Sequence, residues 1–189
     1  MLTLSNAPNT TPGETPIKAG LIASWQSYYQ TYGYVEVRAK VPPDGLKNWF
    51  ALWLVNKDWR AEIDLAEWMS PDSESYTCTI HNKLNLSDEK PTVIAQKVIQ
   101  AGIDLSLDFH VYGMDWQPDY VRFYLDNKLV FEYTGPNIPN VPMYFIADIA
   151  FTPADAIPTG ETSAEIDYVR IYSKKQVKWK IYSPSIKKY

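Results

Sequence analysis

The chain has 189 residues, 46% of them hydrophobic and 21% charged, with a formal net charge of -4. That length suits one globular domain with its own core and is too short for two ordinary ones. The mild acidity argues against a nucleic-acid partner, which needs a concentrated basic patch, and no apolar run approaches a membrane span of ~20 residues.

The N-terminal "MLTLSNAPNTTPGETP" lacks a basic start and an apolar h-region, so it does not read as a signal peptide. Residues 6–19, "NAPNTTPGETPIKA", are rich in Pro, Thr and Asn and predict an irregular loop. From there the period is mostly two. "YGYVEVRAKVP" sets Val35, Val37, Ala39 and Val41 on one face and Tyr34, Glu36, Arg38 and Lys40 on the other. In "NWFALWLV", Trp49 and Trp53 are four apart and share a strand face, with Trp49 expected in the core. "RAEIDLAEWMS" is a strand crowded with acids. "YTCTIH" follows; its Cys78, the sole cysteine, excludes an intrachain disulfide, argues against a thiolate metal site and reads as a small buried hydrophobe. His81 shares parity with Thr77 and Thr79, a polar face that suits a cleft as well as it suits a structural histidine.

"TVIAQKVIQAG" is the best helical candidate, and it fits a strand and turn equally well. "HVYGMDW" is a strand whose His110 reads as structural; "QPDY" turns it into "VRFYLDNKLVFEY", a hairpin folded at Asp126 and Asn127. "PMYFIADIAF" and "SAEIDYVRIY" add two strands. The lysines of "SKKQVKWK" and "IKKY" read as solvated surface. Many short strands joined by turns predict an all-β fold, an antiparallel sandwich or barrel. The 14 Tyr, 7 Trp and 6 Phe fit strands and are also the side chains that stack on sugar rings.

On a regular strand Glu62 and Asp64 point one way and Glu67 the other. A one-residue bulge at Leu65-Ala66 resets the alternation and returns Glu67 to the face of the other two. Paired carboxylates about 5–5.5 Å apart perform retaining glycoside hydrolysis, one as nucleophile and one as acid/base. Four strand steps separate the Glu62 and Glu67 Cα atoms by roughly 13 Å, a gap two long side chains can mostly close over a concave sheet. Two other readings stand beside catalysis: a solvated strand face and a cation site. The tripeptide itself decides little, because "EID" recurs at Glu165-Ile166-Asp167, followed by "YVRIY" with no third acid.

These residues resemble glycoside hydrolase family 16, whose signature is E-x-D-x-x-E in the bulged form. "EIDLAE" matches it, and the match continues in order through "YGYVEVRAKVP", "NWFALWLV", "TIHN", "DFHVYGMDWQPDYVRFYLDNKLV" and "EIDYVRIY". The resemblance implies a β-jelly roll of two curved antiparallel sheets, concanavalin A-like, with a glycan across the concave face. It makes Glu62 the nucleophile, Asp64 its assisting acid and Glu67 the acid/base, with Trp53, Trp59, Trp68 and His81 in the cleft. Arg60, in the loop before the acids, is a further substrate-binding candidate.

The resemblance implies a retaining endo-glycosidase acting on β-1,3- or mixed-linkage glucan, with a red-algal galactan as the second choice. Alternatives on the same fold are a glycan-binding module and a transglycosylase. No metal or organic cofactor is required, and any Ca²⁺ is expected to be structural. The expected partner is a polysaccharide, bound by a monomer with no nucleic-acid or membrane association. The substrate implies an extracellular location, although this chain shows no signal peptide. Residues 1–175 are expected to form one domain lacking the family's usual first strand, and residues 176–189 an extension that could supply an added strand. The family's L-N-L-A-V-G-G segment is altered to "IADIAF", with Asp148 replacing an amide.

Overall fold

A computed structural model describes residues 1–6, 17–43, 48–69, 72–85, 87–151 and 160–173, and the regular elements among them are all strands. In chain order these are β1 (Leu2–Asn6), β2 (Ile17–Ala23), β3 (Gly33–Lys40), β4 (Trp49–Asn56), β5 (Ala61–Met69) and β6 (Ser75–Asn82). β7 (Thr92–Gln100), β8 (His110–Trp116), β9 (Val121–Leu125), β10 (Lys128–Tyr133), β11 (Met143–Ala150) and β12 (Glu161–Tyr172) follow. Hydrogen bonding links them in the order β10-β9-β8-β3-β12-β1-β2-β11-β4-β5-β6-β7. β1 pairs on one side with β12 and on the other with β2, joining the two halves of this order. All pairs are antiparallel, and the two halves curve over one another as a β-jelly roll. The free edges approach each other where Lys97 on β7 donates to the Val130 carbonyl on β10 at 2.8 Å.

Alternation decides what lies between the layers. β3 sends Val35, Val37 and Ala39 inward, where they meet Tyr112, Met114 and Trp116 of β8 and Phe123 of β9. From the opposite half come Phe50, Leu52 and Leu54 of β4, Ile63, Leu65 and Trp68 of β5, and Cys78 and Ile80 of β6. Burying such side chains is worth about 1.5–3 kcal/mol each before the entropy of ordering is subtracted. The face of β11, β4, β5 and β6 turned away from this core is left free to carry polar groups.

The turn between β9 and β10 places Asp126 at φ 48° and Asn127 at φ 63°, the left-handed pair of a two-residue hairpin. Two local expectations change. The predicted loop ends early, because residues 17–19 belong to β2, which pairs with both β1 and β11. "TVIAQKVIQ" is a strand, β7, paired with β6 along its whole length. Its β-branched Thr92, Val93, Ile94 and Val98 suit that partner, and pairing overrides the helical spacing. The proposed added strand at 176–189 lies outside the described residues.

Candidate active site

The acids are aligned by a bulge in β5. Against β4, Val55 pairs with Glu62, Leu54 with Ile63 and Trp53 with Asp64; the register then slips, so Leu52 faces Ala66 and Ala51 faces Glu67. Leu65 is the extra residue. On the other side Asp64 pairs with Thr79 and Glu67 with Thr77, with a matching slip. The Leu65 carbonyl, displaced from the ladder, accepts the buried Cys78 thiol at 3.2 Å. Cys78 is thus more than filler: its thiol donates to a backbone carbonyl of the bulge. Leu65 and Ala66 stay in the core, and Glu62, Asp64 and Glu67 emerge on one face.

Cross-strand rows place the neighbours. One row runs Tyr144, Val55, Glu62, His81 and Val93; the next runs Ile146, Trp53, Asp64, Thr79 and Gln96; a third runs Asp148, Ala51, Glu67, Thr77 and Val98. Trp49, Ala51, Trp53, Trp59, Glu62, Asp64, Glu67 and Asp148 line a single cavity over these rows. A second cavity adjoins it, lined by Trp59, Glu62, His81, Glu89, Lys90 and Pro91.

The carboxyls differ in environment. Asp64 is 3% exposed and lies 3.1 Å from His81 Nε2, which is also 3.8 Å from Glu62 Oε1. Burial, reinforced by the Glu62 charge, holds Asp64 well above the usual carboxylate range. Burial also raises Glu62, with Glu67 adding to it, while His81 and a hydrogen bond from the Trp59 side chain oppose the shift. Oε2 of Glu62 is buried without a hydrogen-bond partner among the described residues. Glu67 is pushed up to about 7, first by burial and then by the charge of Asp64; a hydrogen bond from Trp49 pulls the other way. That bond runs from Trp49 Nε1 to Glu67 Oε1 at 3.1 Å. A carboxyl that keeps its proton up to about 7 is suited to act as a general acid.

Glu62, Asp64 and His81 are also the one group of donors among the described residues close enough for a cation, their ligand atoms lying within 4.8 Å of one another. The same atoms already serve the carboxylate and imidazole contacts described above.

A model of the glycosyl hydrolases family 16 matches residues 5–170. The chain belongs to this family. An endo-1,3-1,4-beta-glycanase, ExsH, of Rhizobium meliloti is 30% identical over 187 residues, 92% of this chain and 38% of its own. A keratan-sulfate endo-1,4-beta-galactosidase of Sphingobacterium multivorum is 32% identical over 177 residues, 82% of this chain and 40% of its own. The chain therefore spans less than half the length of these curated relatives. Among solved structures, LamAcat from Zobellia galactanivorans superposes with a TM-score of 0.73 at 26% identity, covering 90% of this chain and 76% of that one. The catalytic domain of an endo-1,3-beta-glucanase (laminarinase) from Thermotoga petrophila gives 0.75 at 21%, covering 92% and 77%, a likeness of fold.

Within this family 16 domain the sequence-predicted residues fall into two groups. Trp53, Trp59 and His81 stand with the three acids at the cavities. Trp59 is 56% exposed in the turn before β5, at φ 49°. Trp68 does not join them. It is 2% exposed and packs in the core, its ring stacked on Phe50 at 5.2 Å and edge-on to Tyr112 at 4.9 Å. The cause is alternation: if Glu67 faces the cleft, its neighbour must face inward. Arg60 is exposed and lines neither cavity. Trp49, expected in the core, instead shares the cleft face with Trp53 and reaches Glu67. His110 lies away from both cavities, its Nδ1 2.8 Å from Asp126 Oδ2.

Asp148 was legible only as an altered position. Its indole partner, Trp53 Nε1 at 2.7 Å, and its place across Ala51 from Glu67 come from the insertion of β4 between β11 and β5. No local signal carries that.

Proposed function

We propose that this chain is the catalytic domain of a retaining endo-β-glucanase. The observation that carries the reading is the bulge, which delivers two glutamates and a buried aspartate to one cavity walled by tryptophans. Glu67, holding its proton at pH values up to about 7, donates it to the glycosidic oxygen. Glu62, whose Oε2 has no competing partner, attacks the anomeric carbon as the bond to that oxygen breaks. Glu67, now a carboxylate, takes a proton from water, which displaces Glu62 from the glycosyl-enzyme and restores both acids. His81, 3.8 Å from Glu62 and 3.1 Å from Asp64, holds the two side chains in place. Trp49, Trp53 and Trp59 supply aromatic faces for the sugar rings, their indole N–H groups being directed at the acids.

This chemistry uses water as its only co-reactant, and hydrolases of this family generally need no cofactor. A Ca²⁺ ion, where bound, would serve the fold. The names of the relatives support a β-1,3 or mixed-linkage glucan as substrate. A polymer of that size places the enzyme outside the cell, and it would act there as a monomer. The test is release of reducing ends from laminarin, mixed-linkage glucan, agarose and carrageenan by wild type and Glu62→Gln. Release from a glucan, lost in the variant, is expected. Release that survives Glu62→Gln contradicts the assignment.

A further inference from the structure

Ala51 is the floor of a small box in the cleft. Its cross-strand neighbours are Glu67 on one side and Asp148 on the other, and Trp49 and Trp53 stand two residues away along β4 on the same face. Each tryptophan is tied to one acid, Trp49 Nε1 to Glu67 and Trp53 Nε1 to Asp148. Two strand spacings, roughly 10 Å, separate the backbones at the two ends, and only a methyl group rises between them. Two indoles and two carboxyls thus surround the Ala51 methyl.

All the polar groups of this cavity other than the indoles are acids: Glu62, Asp64, Glu67 and Asp148. Its lining includes no lysine or arginine among the described residues; Lys90 lines the adjoining cavity with His81. Such a wall offers acceptor oxygens to hydroxyls, and whichever of its carboxyls are ionised oppose an anion. The relatives include an enzyme named for a sulfated polymer, so the choice between charged and uncharged sugars is open within the family.

We propose that Asp148 is a specificity-determining residue: its carboxylate accepts a hydroxyl hydrogen bond from the uncharged sugar seated over Ala51, and excludes a sulfate or carboxylate substituent at that position. It is also a positioning residue for Trp53, whose indole it fixes. The inference rests on the glycosidase reading and narrows its substrate to a glycan unsubstituted by anions next to Glu67. The groups facing Glu67 are Trp49 from β4, Asp64 on its own strand, His81 from β6 and Asp148 from β11, and the Asp148 charge contributes to the upward shift of Glu67.

The experiment compares wild type with the isosteric Asp148→Asn on laminarin and on laminarin bearing a low degree of sulfation. Wild type is expected to favour the neutral polymer, and the variant to narrow that preference by about tenfold, raising KM on the neutral polymer more than it lowers kcat. The basic limb of the rate profile should also move to lower pH, a readout that loss of packing alone would not give. An unchanged preference and unchanged limb, or a wild type that favours the sulfated polymer, overturns the proposal. If wild type cleaves neither polymer and releases no reducing ends from mixed-linkage glucan, agarose or carrageenan, the glycosidase reading fails; titration of a laminarin oligosaccharide and its sulfated form by NMR then decides the Asp148 claim. Preferential binding of the neutral form, weakened in Asp148→Asn, supports the claim, and equal binding of both forms rejects it.

Discussion

Two tryptophans nine residues apart have opposite fates. Trp59 sits at the cavity mouth with more than half its surface open, and Trp68 is sealed among Phe50, Tyr76 and Tyr112. Trp68→Ala should therefore destabilise the fold by about 3–5 kcal/mol, seen as a lower urea midpoint. Trp59→Ala should leave that midpoint within ~0.5 kcal/mol of wild type and raise KM instead. The reverse pattern would mean that the two faces of β5 have been exchanged. This distinction could have been drawn from the sequence, because once the bulge is granted Trp68 must alternate inward. Trp49 was equally legible, since it shares parity with Trp53. Asp148 was not, because its neighbour in the row is set by a pairing about a hundred residues away along the chain.

At the level of the element, the bulge in β5 is what brings three acids to one face of an otherwise ordinary strand. The EIDLAE spacing announced it, and both flanking ladders slip where it was expected. The sequence did not announce the Cys78 thiol on the Leu65 carbonyl, since a buried cysteine looks the same with or without a bulge beside it. A regular strand would keep Glu67 on the cleft face if one residue were removed. Deleting Ala66 should thus retain measurable hydrolysis, whereas inserting one alanine between Ala66 and Glu67 should turn Glu67 into the core and abolish it. Reducing-end assays on the two variants check this, and activity in the insertion variant with none in the deletion would contradict it. The strands themselves were mostly readable from alternation. β7 was ambiguous because an edge strand half open to solvent has little periodic burial to display.

For the molecule as a whole, the cleft is a place where stability is given up. Burial is the first cause of the upward shifts of Glu62, Asp64, Glu67 and Asp148, so the folded state disfavours their charges. For Glu67, raised from 4.5 to about 7, the folded protein keeps a proton that the unfolded chain has lost across that window. Its contribution to stability is present below 4.5 and is lost as pH rises through about 7. Glu67→Gln should match wild type near pH 4 and exceed it at pH 8 by on the order of 2 kcal/mol. Urea midpoints at the two pH values read this directly. A variant no more stable than wild type at pH 8 would show that the carboxyl is solvated after all. The order of strands that encloses these acids was the least legible feature, because alternation reports which face a residue takes and says nothing about which strand lies beside it.

The proposed mechanism makes Glu62 and Glu67 the nucleophile and acid/base pair of a retaining glycosidase. Proton NMR of a glucan digest, recorded in the first minutes before mutarotation, tests it most directly. The new reducing ends are expected to appear first as the β-anomer, with none released by Glu62→Gln. Initial appearance of the α-anomer would mean direct attack by water, and Glu62 could not then be the nucleophile.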